Sequence, residues 1–479
     1  MTDSIIITLI ALAVVLEITG IVLALDAIMR GRTPHGTLAW ALVLIFLPPL
    51  GIFLYLSVGA RKLDGYIKAH RRGTQALDSL AELANNAMEP FRVSAQQVAE
   101  QTCSIGVTTA SEQLATTNWT TGNTTKLLID GVQTFEAILD ELEQAQRYIC
   151  VQFYIVRDDE LGQRFHKAMI QAANRGVSVR LLYDALGSNG LPESFIDELI
   201  EAKIRVASFQ TNLGMNPLRM NFRNHRKIVM IDGHTAFIGG HNIGREYLGR
   251  DPDMGAWRDT HIRVQGPAAL AAQLAFCEDW NWSTGEVPTL DWSARSYGTE
   301  HVLVIPSGPS DEVETCALLF HQVIEGAQRR LWIASPYFVP DEGIVLSLQL
   351  AAMRGVDARI LIPNSFNERM IMMSAYSYYE DVLPSGVGIY RYLPAFLHHK
   401  VFMVDDLVSV GTANFDNRSF RINFEITVLV ANSPLRDRVQ EMMAHDFENS
   451  QQAKLEDFTK RSWFFRAMAR TCRLMSPLQ

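Results

Sequence analysis

Two short stretches carry the same reactive side chains at the same spacing: His225, Lys227 and Asp232 in HRKIVMID, and His398, Lys400 and Asp405 in HHKVFMVD. In-line displacement at a phosphodiester needs a nucleophile on one side of phosphorus and a proton donor at the leaving oxygen on the other. Two facing imidazoles supply both, with a covalent enzyme intermediate between the two half-reactions. The lysines beside them would hold the phosphoryl oxygens and stabilise transition-state charge without a metal. In an extended chain, residues i and i+2 point to one face, so each histidine emerges together with its lysine. The apolar IVMI or VFMV that follows would carry the strand into the core. Asp232 and Asp405, seven residues past their histidines and so on the alternate face, are expected to brace the site.

The sequences downstream also match. IGGHNIG follows the first pattern and VGTANFDNRSF the second, placing Asn242 and Asn414 seventeen and sixteen residues past their histidines, with Thr412 close by. These amides and this hydroxyl are expected to donate to phosphate oxygens, while Gly239 and Gly240 permit a tight turn and close backbone approach. A histidine acting as nucleophile or acid also needs its other ring nitrogen held, usually by a carboxylate. Glu425 in INFEI is the candidate for His398, and Asp259 in WRDTH for His225.

The elements that position these residues recur as well. From Thr125, KLLID, the helical TFEAILDELEQA, YICVQFYIV, the helical FHKAMIQAANRG and VSVRLLYD alternate; HVLVIP, LFHQVIEGA, RLWIASPYFV, VLSLQLAAMRG and VDARILIP repeat the order. QAANRGVSVRLL and QLAAMRGVDARIL each end a helix at glycine and start a strand, marking an internal duplication. Alternation of this kind predicts an α/β sandwich in each half. The halves are placed at 125–295 and 296–479, meeting about a pseudo-twofold axis that brings the two histidine strands face to face. The preceding 61–124 reads as a helical segment, interrupted at Pro90, and a Thr-, Ser- and Asn-rich linker.

With both HxKxxxxD motifs and their glycine–asparagine turns in view, the chain resembles the phospholipase D superfamily. PYFVPDE, SGVGIYRYLPAFLHHK, GTANFDNRSFRINFEI and the N-terminal RTPHGTLAWALVLIFLPPLGIFLYLSVG look like its bacterial cardiolipin synthase branch, so the resemblance spans nearly the whole chain. Thr412 departs slightly, since that branch often has serine there. The resemblance implies transfer of a phosphatidyl group from one phosphatidylglycerol to another, giving cardiolipin and glycerol with no metal or cofactor. His225 would be the nucleophile and His398 the acid and then base, an assignment the near symmetry of the motifs leaves reversible. Lys227, Lys400, Asn242 and Asn414 would hold the phosphate. A hydrolase using water, or a different acceptor alcohol, is the alternative.

Two apolar stretches open the chain, about residues 5–25 and 38–58, each long enough to cross a bilayer as a helix. Together they read as a 1–60 transmembrane hairpin, with Glu17 a costly group inside the first. Arg61, Lys62, Lys68, Arg71 and Arg72 follow the second stretch, against Arg30 and Arg32 in the connecting loop, so the catalytic part is expected on the cytoplasmic side of a bacterial inner membrane. Five cysteines, scattered and odd in number, suggest neither a disulfide framework nor a metal cluster. A net charge of −9 with no long basic stripe excludes the usual footprint of a nucleic-acid partner. Anionic phospholipids are the expected partners; self-association is left open.

Further lipid-facing candidates flank the motifs. NLGMNPLRMNFRNHRK mixes Met, Leu and Phe with Arg219, Arg223 and Arg226, and ERMIMMSAYSYY interleaves Met and Tyr; acyl chains or core packing would explain either equally. The basic tail TKRSWFFRAMARTCRLMSPLQ suits either a membrane surface or a final helix docked on the domain.

Overall fold

The computed structural model describes residues 2–30, 34–59, 77–209, 222–365 and 369–476. Arg32, Arg219 and the basic residues between Arg61 and Arg72, on which part of the reading above rests, lie outside them. The chain divides into two compact units, one holding residues 1–69 with 210–223 and the other holding the rest.

The first unit contains α1 (Thr2–Arg30), α2 (Pro34–Phe46) and α3 (Pro48–Val58). Residues 4–29 of α1 form a helix long and apolar enough to cross a membrane. The second expected span is not one helix. It breaks at Leu47 because Pro48 and Pro49 cannot donate backbone hydrogen bonds, so α2 and α3 are each too short to cross unaided. The three helices pack closely. A Cβ on Gly20 would lie 2.3 Å from the Leu44 carbonyl oxygen, and the Tyr55 hydroxyl donates to Asp26 at 3.0 Å. Glu17 is exposed.

In the second unit the duplication is visible strand by strand. The first half contributes β1 (Thr120–Ile129), β2 (Tyr148–Phe153), β3 (Ser178–Asp184), β4 (Arg205–Phe209), β5 (Ile228–Ile231), β6 (Thr235–Gly239) and β7 (Thr260–Gln265). The second contributes β8 (Glu300–Ser307), β9 (Arg330–Ala334), β10 (Asp357–Pro363), β11 (Gly388–Tyr392), β12 (Val401–Val404), β13 (Leu407–Gly411) and β14 (Asn423–Ala431), with β15 (Ser450–Gln452) at its edge. They join in one continuous sheet of order β15-β11-β10-β9-β12-β13-β14-β8-β1-β7-β6-β5-β2-β3-β4. From β11 to β4 this order is a palindrome about the antiparallel β8–β1 seam, where Val302 lies opposite Thr120. Reversal about a seam is what a pseudo-twofold axis produces in a sheet.

Helices cover the sheet because their apolar residues recur at helical spacing. In α4 (Asp130–Gln144), Phe135, Ile138, Leu139 and Leu142 are buried in the first core; α5 (Glu160–Asn174) joins them through Leu161, Phe165 and Met169. In the second core, Leu319, Phe320, Val323 and Ile324 of α7 (Thr315–Gly326) take the place of α4, and α8 (Glu342–Met353) that of α5; near the end of the first half, α6 (Ala269–Thr284) is almost wholly buried. The stretch read as linker is folded onto both halves. Val98, Val107 and Trp119 enter the second core, while Leu77 and Leu80 pack on Leu274 and Cys277. β1 begins at Thr120, five residues before the expected start of the half. No disulfide joins the cysteines among the described residues.

Candidate active site

Each histidine–lysine pair sits in extended chain immediately before its strand, β5 or β12, and each is anchored by the opposite half. The His225 amide donates to the Phe424 carbonyl at 2.9 Å and the His398 amide to the Arg258 carbonyl at 2.7 Å. Phe424 and Arg258 each precede an acid, so the anchor places an imidazole against a carboxylate. His225 Nδ1 lies 2.9 and 3.0 Å from the two Glu425 oxygens. His398 Nδ1 lies 2.6 Å from Asp259 Oδ2.

This reverses the expected pairing, in which Glu425 served His398 and Asp259 served His225. Both acids belong to strands flanking the seam: Glu425 lies on β14 beside β8, and Asp259 immediately precedes β7 beside β1. The twofold axis therefore carries each acid across to the other half's histidine. Each active imidazole is completed only by the other repeat.

The surroundings of the two acids differ. Glu425 accepts from the hydroxyls of Thr412 (2.6 Å) and Ser419 (2.9 Å) and from the Asn423 amide (3.1 Å). Thr412 is therefore not the expected phosphate donor, because its hydrogen is committed to Glu425. Asp259 accepts from the Thr260 amide at 2.8 Å. Gly240, which occupies the place of Thr412 in the repeat, has no side chain there; a Cβ would meet Asp259 Oδ1 at 2.1 Å. The expected close approach at Gly240 is thus made by a carboxylate.

Asn242 is also spent internally. Its oxygen accepts from the Ile155 amide at 3.1 Å and its NH2 donates to the Tyr247 hydroxyl at 2.8 Å, so it braces the site and is not a ready phosphate donor. Asn414 is buried, and its side-chain oxygen has no partner among the described residues. Arg226, in the stretch that suited acyl chains or core packing equally, is buried in an ion pair with Asp279 (2.9 Å) and donates to the carbonyls of Glu425 (3.0 Å) and Ser307 (3.2 Å), as the packing reading expects. It fastens the first half to the second.

Asp232 and Asp405 stand apart from the chemistry. Five residues of extended strand separate each from its lysine, about 16 Å at the usual rise. Both adopt a left-handed backbone, with φ of 52° and 51°. The Asp232 carboxylate accepts from the amides of Gln146, Arg147 and Tyr148, and Asp405 from those of Gln328, Arg329 and Arg330. They close the strand turn and fasten it to the entry of β2 or β9.

Several neighbours were missed from sequence. Tyr154 lies beside His225 (ring centroids 5.2 Å) and Lys227 (Nζ 5.6 Å from the ring), confirming that the pair shares one face. Trp257 lies 4.8 Å from His398, with Phe396 and Tyr247 completing an aromatic wall at 5.9 and 6.4 Å. Period-two spacing could have found two of these residues: Trp257 and Asn423 each precede an acid by two and so share its face.

The electrostatics bind the four basic groups into one site. Burial pushes His225 down to about 4, opposed by Glu425 and reinforced by Lys227 and Lys400. Burial and Lys400 push His398 down to about 3, against Asp259, with Lys227 adding to the fall. Each lysine thus acts on the other half's imidazole. Lys227 is held well below its ordinary value by burial and Lys400 falls to about 8 for the same reason. Burial alone would raise both acids, but His225 and Lys227 keep Glu425 low, and Lys400 and His398 keep Asp259 low. Two carboxylates accepting at Nδ1 fix the Nδ1–H tautomer, leaving Nε2 of each ring for chemistry. Each lysine donates to the carbonyl of its own histidine at 2.7 Å, and Lys400 Nζ also lies against the His398 ring, 2.8 Å from Nδ1 and 3.1 Å from Nε2.

A duplicated α/β sheet with two acid-held histidines and two buried lysines defines a phosphodiester-processing protein of the phospholipase D class. A family model described as cardiolipin synthase, PLD-like domain, matches residues 138–273 and 320–447. One described as phospholipase D-nuclease N-terminal matches 20–59. The chain belongs to the cardiolipin synthase, phospholipase D-like family. Cardiolipin synthase A of Pseudomonas putida (strain W619) is 41% identical over 466 residues, 96% of each chain. That of Pseudomonas aeruginosa (strain LESB58) is 40% identical over 471 residues, 98% of this chain and 95% of the relative. Among solved structures, phosphatidylserine synthase of Haemophilus influenzae Rd KW20 has a TM-score of 0.57 at 13% identity, covering 74% of this chain and 95% of that one. That likeness is one of fold.

Proposed function

We propose that this protein is a membrane-bound phosphatidyltransferase that makes cardiolipin and glycerol from two phosphatidylglycerol molecules. The observation that carries the reading is the exchange of acids between halves, which prepares two Nε2 atoms in one lysine-lined site. In the first step, the His225 Nε2 lone pair attacks phosphorus while the phosphorus–glycerol oxygen bond breaks. The departing oxygen takes a proton from His398 and leaves as glycerol. In the second step, neutral His398 removes the proton from the terminal hydroxyl of a second phosphatidylglycerol. Its oxygen attacks phosphorus, the phosphorus–nitrogen bond breaks, and His225 is restored.

Burial holds both imidazoles towards the neutral form, so the acid must gain its proton when substrate binds. An anionic phosphodiester between Lys227 and Lys400 offsets the cationic field that depresses His398. His225 Nε2, with no protein hydrogen bond among the described residues, suits the nucleophile, which leaves His398, with Lys400 Nζ 3.1 Å from its Nε2, as the proton carrier. Asn414 completes the phosphate contacts.

The two halves are placed at 125–295 and 296–479, limits that contain both matched family segments. α1 anchors the chain. α2 and α3, with Leu38, Leu42, Leu50 and Phe53 exposed, enter the membrane as a bent second segment, and the basic residues from Arg61 to Arg72 hold the catalytic halves on the cytoplasmic side.

The test is to give the purified protein phosphatidylglycerol alone in mixed micelles and resolve the products. Cardiolipin with equal glycerol is expected. Phosphatidic acid with glycerol would make water the acceptor and replace the transferase by a hydrolase.

A further inference from the structure

The last helix of the described chain presents two apolar faces, and the fold uses one. This helix, α10 (Trp463–Leu474), packs on α9 (Arg369–Ser377), with Phe465 against Tyr376 at 5.7 Å and Ala469 fully buried. Arg470 pairs with Glu380 at 2.7 Å and Arg473 with Asp381 at 2.6 Å, while Arg473 also stacks on Tyr378 at 4.0 Å. The tail therefore docks on the domain, one of its two sequence readings. Docking does not hide its apolar residues. Trp463 remains 76% exposed, Phe464 67% and Leu474 78%, with Met468 and Met475 also open.

At 100° per residue, Trp463, Leu474, Thr471, Phe464, Met475 and Met468 fall within one arc of about 140°, and no charged residue lies inside it. The cations lie beside that arc: Lys460 and Arg461 in the turn before the helix, and Arg466 and Arg470 on its flank. From Thr459 to Gln479 the sequence has five basic residues and no acidic one, in a chain whose net charge is −9. An apolar face headed by Trp and Phe and bordered by cations complements an interface of acyl chains beneath anionic headgroups. A soluble protein partner of this acidic chain would need no such charge reversal.

We propose that α10 is a second membrane-contacting element, which seats its outer face in the headgroup region of a bilayer containing anionic phospholipid. The site rests on the helix itself and not on the reaction, so it can fail while the transferase reading stands. It would hold the second repeat to the surface from which both substrates come.

The experiment is acyl-brominated lipid quenching of the full chain reconstituted in vesicles, comparing the protein with Trp463→Phe so that the difference isolates one indole. In vesicles containing phosphatidylglycerol, the Trp463 component should be quenched several-fold by brominated acyl chains and little by aqueous iodide. Lys460→Glu with Arg461→Glu should reduce that quenching, and Trp463→Ser with Phe464→Ser should slow turnover on vesicles by about tenfold while leaving turnover in mixed micelles unchanged. Iodide access undiminished by vesicles would overturn the proposal. So would protection from both quenchers that disappears on dilution, which would assign the face to a second copy of the chain. Equal bromolipid quenching in phosphatidylcholine alone would overturn its anionic component.

Discussion

The two imidazoles are copies of one another in sequence but not in surroundings. His225 leans on a glutamate held by two hydroxyls and an amide and has one aromatic neighbour, Tyr154. His398 leans on an aspartate bonded to the Thr260 amide and, at 3.5 Å, to the Trp257 indole; it stands in an aromatic wall and has Lys400 Nζ against both ring nitrogens. Duplication supplied the geometry twice, and divergence around it left the two rings in unlike surroundings, which suits the proposed division into a nucleophile and a proton carrier. A firmly held acid fixes the attacking ring in place.

The largest effects come from removing either ring. His225→Ala and His398→Ala should each lower turnover by about 10⁴-fold or more, but they should part on acid-quenched labelling with donor lipid. Only His398→Ala is expected to retain a phosphatidyl adduct; label on His225→Ala instead would exchange the roles. Next come the acids. Asp259→Asn and Glu425→Gln, by removing the carboxylate that fixes the tautomer, should each cost about 10³–10⁴ in kcat. Near-normal activity in either would undo the crossed pairing.

A smaller pair tests the unlike positions facing the acids. Thr412→Val removes a hydrogen bond to a charged acceptor, a loss of about 1.5–3 kcal/mol; Gly240→Ala drives a methyl into Asp259 and should cost about 1–3 kcal/mol. Both are measurable by urea unfolding, and a fall in activity with unchanged stability in Gly240→Ala would show the aspartate moved without loosening the fold. Asp232→Asn and Asp405→Asn, in contrast, should reduce stability while leaving the kcat of the folded fraction within about threefold, because their carboxylates hold a turn.

The pH dependence distinguishes the lysines. Lys400, held near 8, should lose its proton above that value, so kcat/KM should fall there, and Lys400→Arg should move the fall upward. Stability follows the histidines. Their folded-state values lie below the unfolded 6.5, so the unfolded chain binds protons first on acidification. The contribution is therefore complete above pH 6.5 and lost as pH falls towards 4 and 3. A flat urea midpoint between pH 7 and 4.5 would contradict it.

Much of this was legible in sequence because it is local. The shared face of His225 and Lys227, the alternation of strands and helices, and the repeat itself follow from period two, period 3.6 and self-similarity. What crosses the seam was not legible. Glu425 lies nearer His398 in sequence and Asp259 nearer His225, and only the reversed strand order shows that the axis exchanges them. Thr412 and Asn242 were harder to read for a related reason: residue type advertised phosphate binding, while a buried carboxylate, an amide and a hydroxyl claimed their hydrogen-bonding groups first. The break at Leu47 was visible as Pro48–Pro49, but its apolar surroundings concealed it from a reading based on hydropathy.

The crossed acids also set a timetable. His225 is separated from Glu425 by 200 residues. At a synthesis rate of about 5–20 residues per second, the histidine and Lys227 wait roughly 10–40 s for that acid to be made. During that interval neither can be buried without leaving an uncompensated polar group, so the centre of the first repeat stays hydrated while its outer strands and helices assemble. A nascent chain halted before β14 lacks Glu425 and cannot assemble the site. The enzyme becomes active only when the second repeat closes over the first.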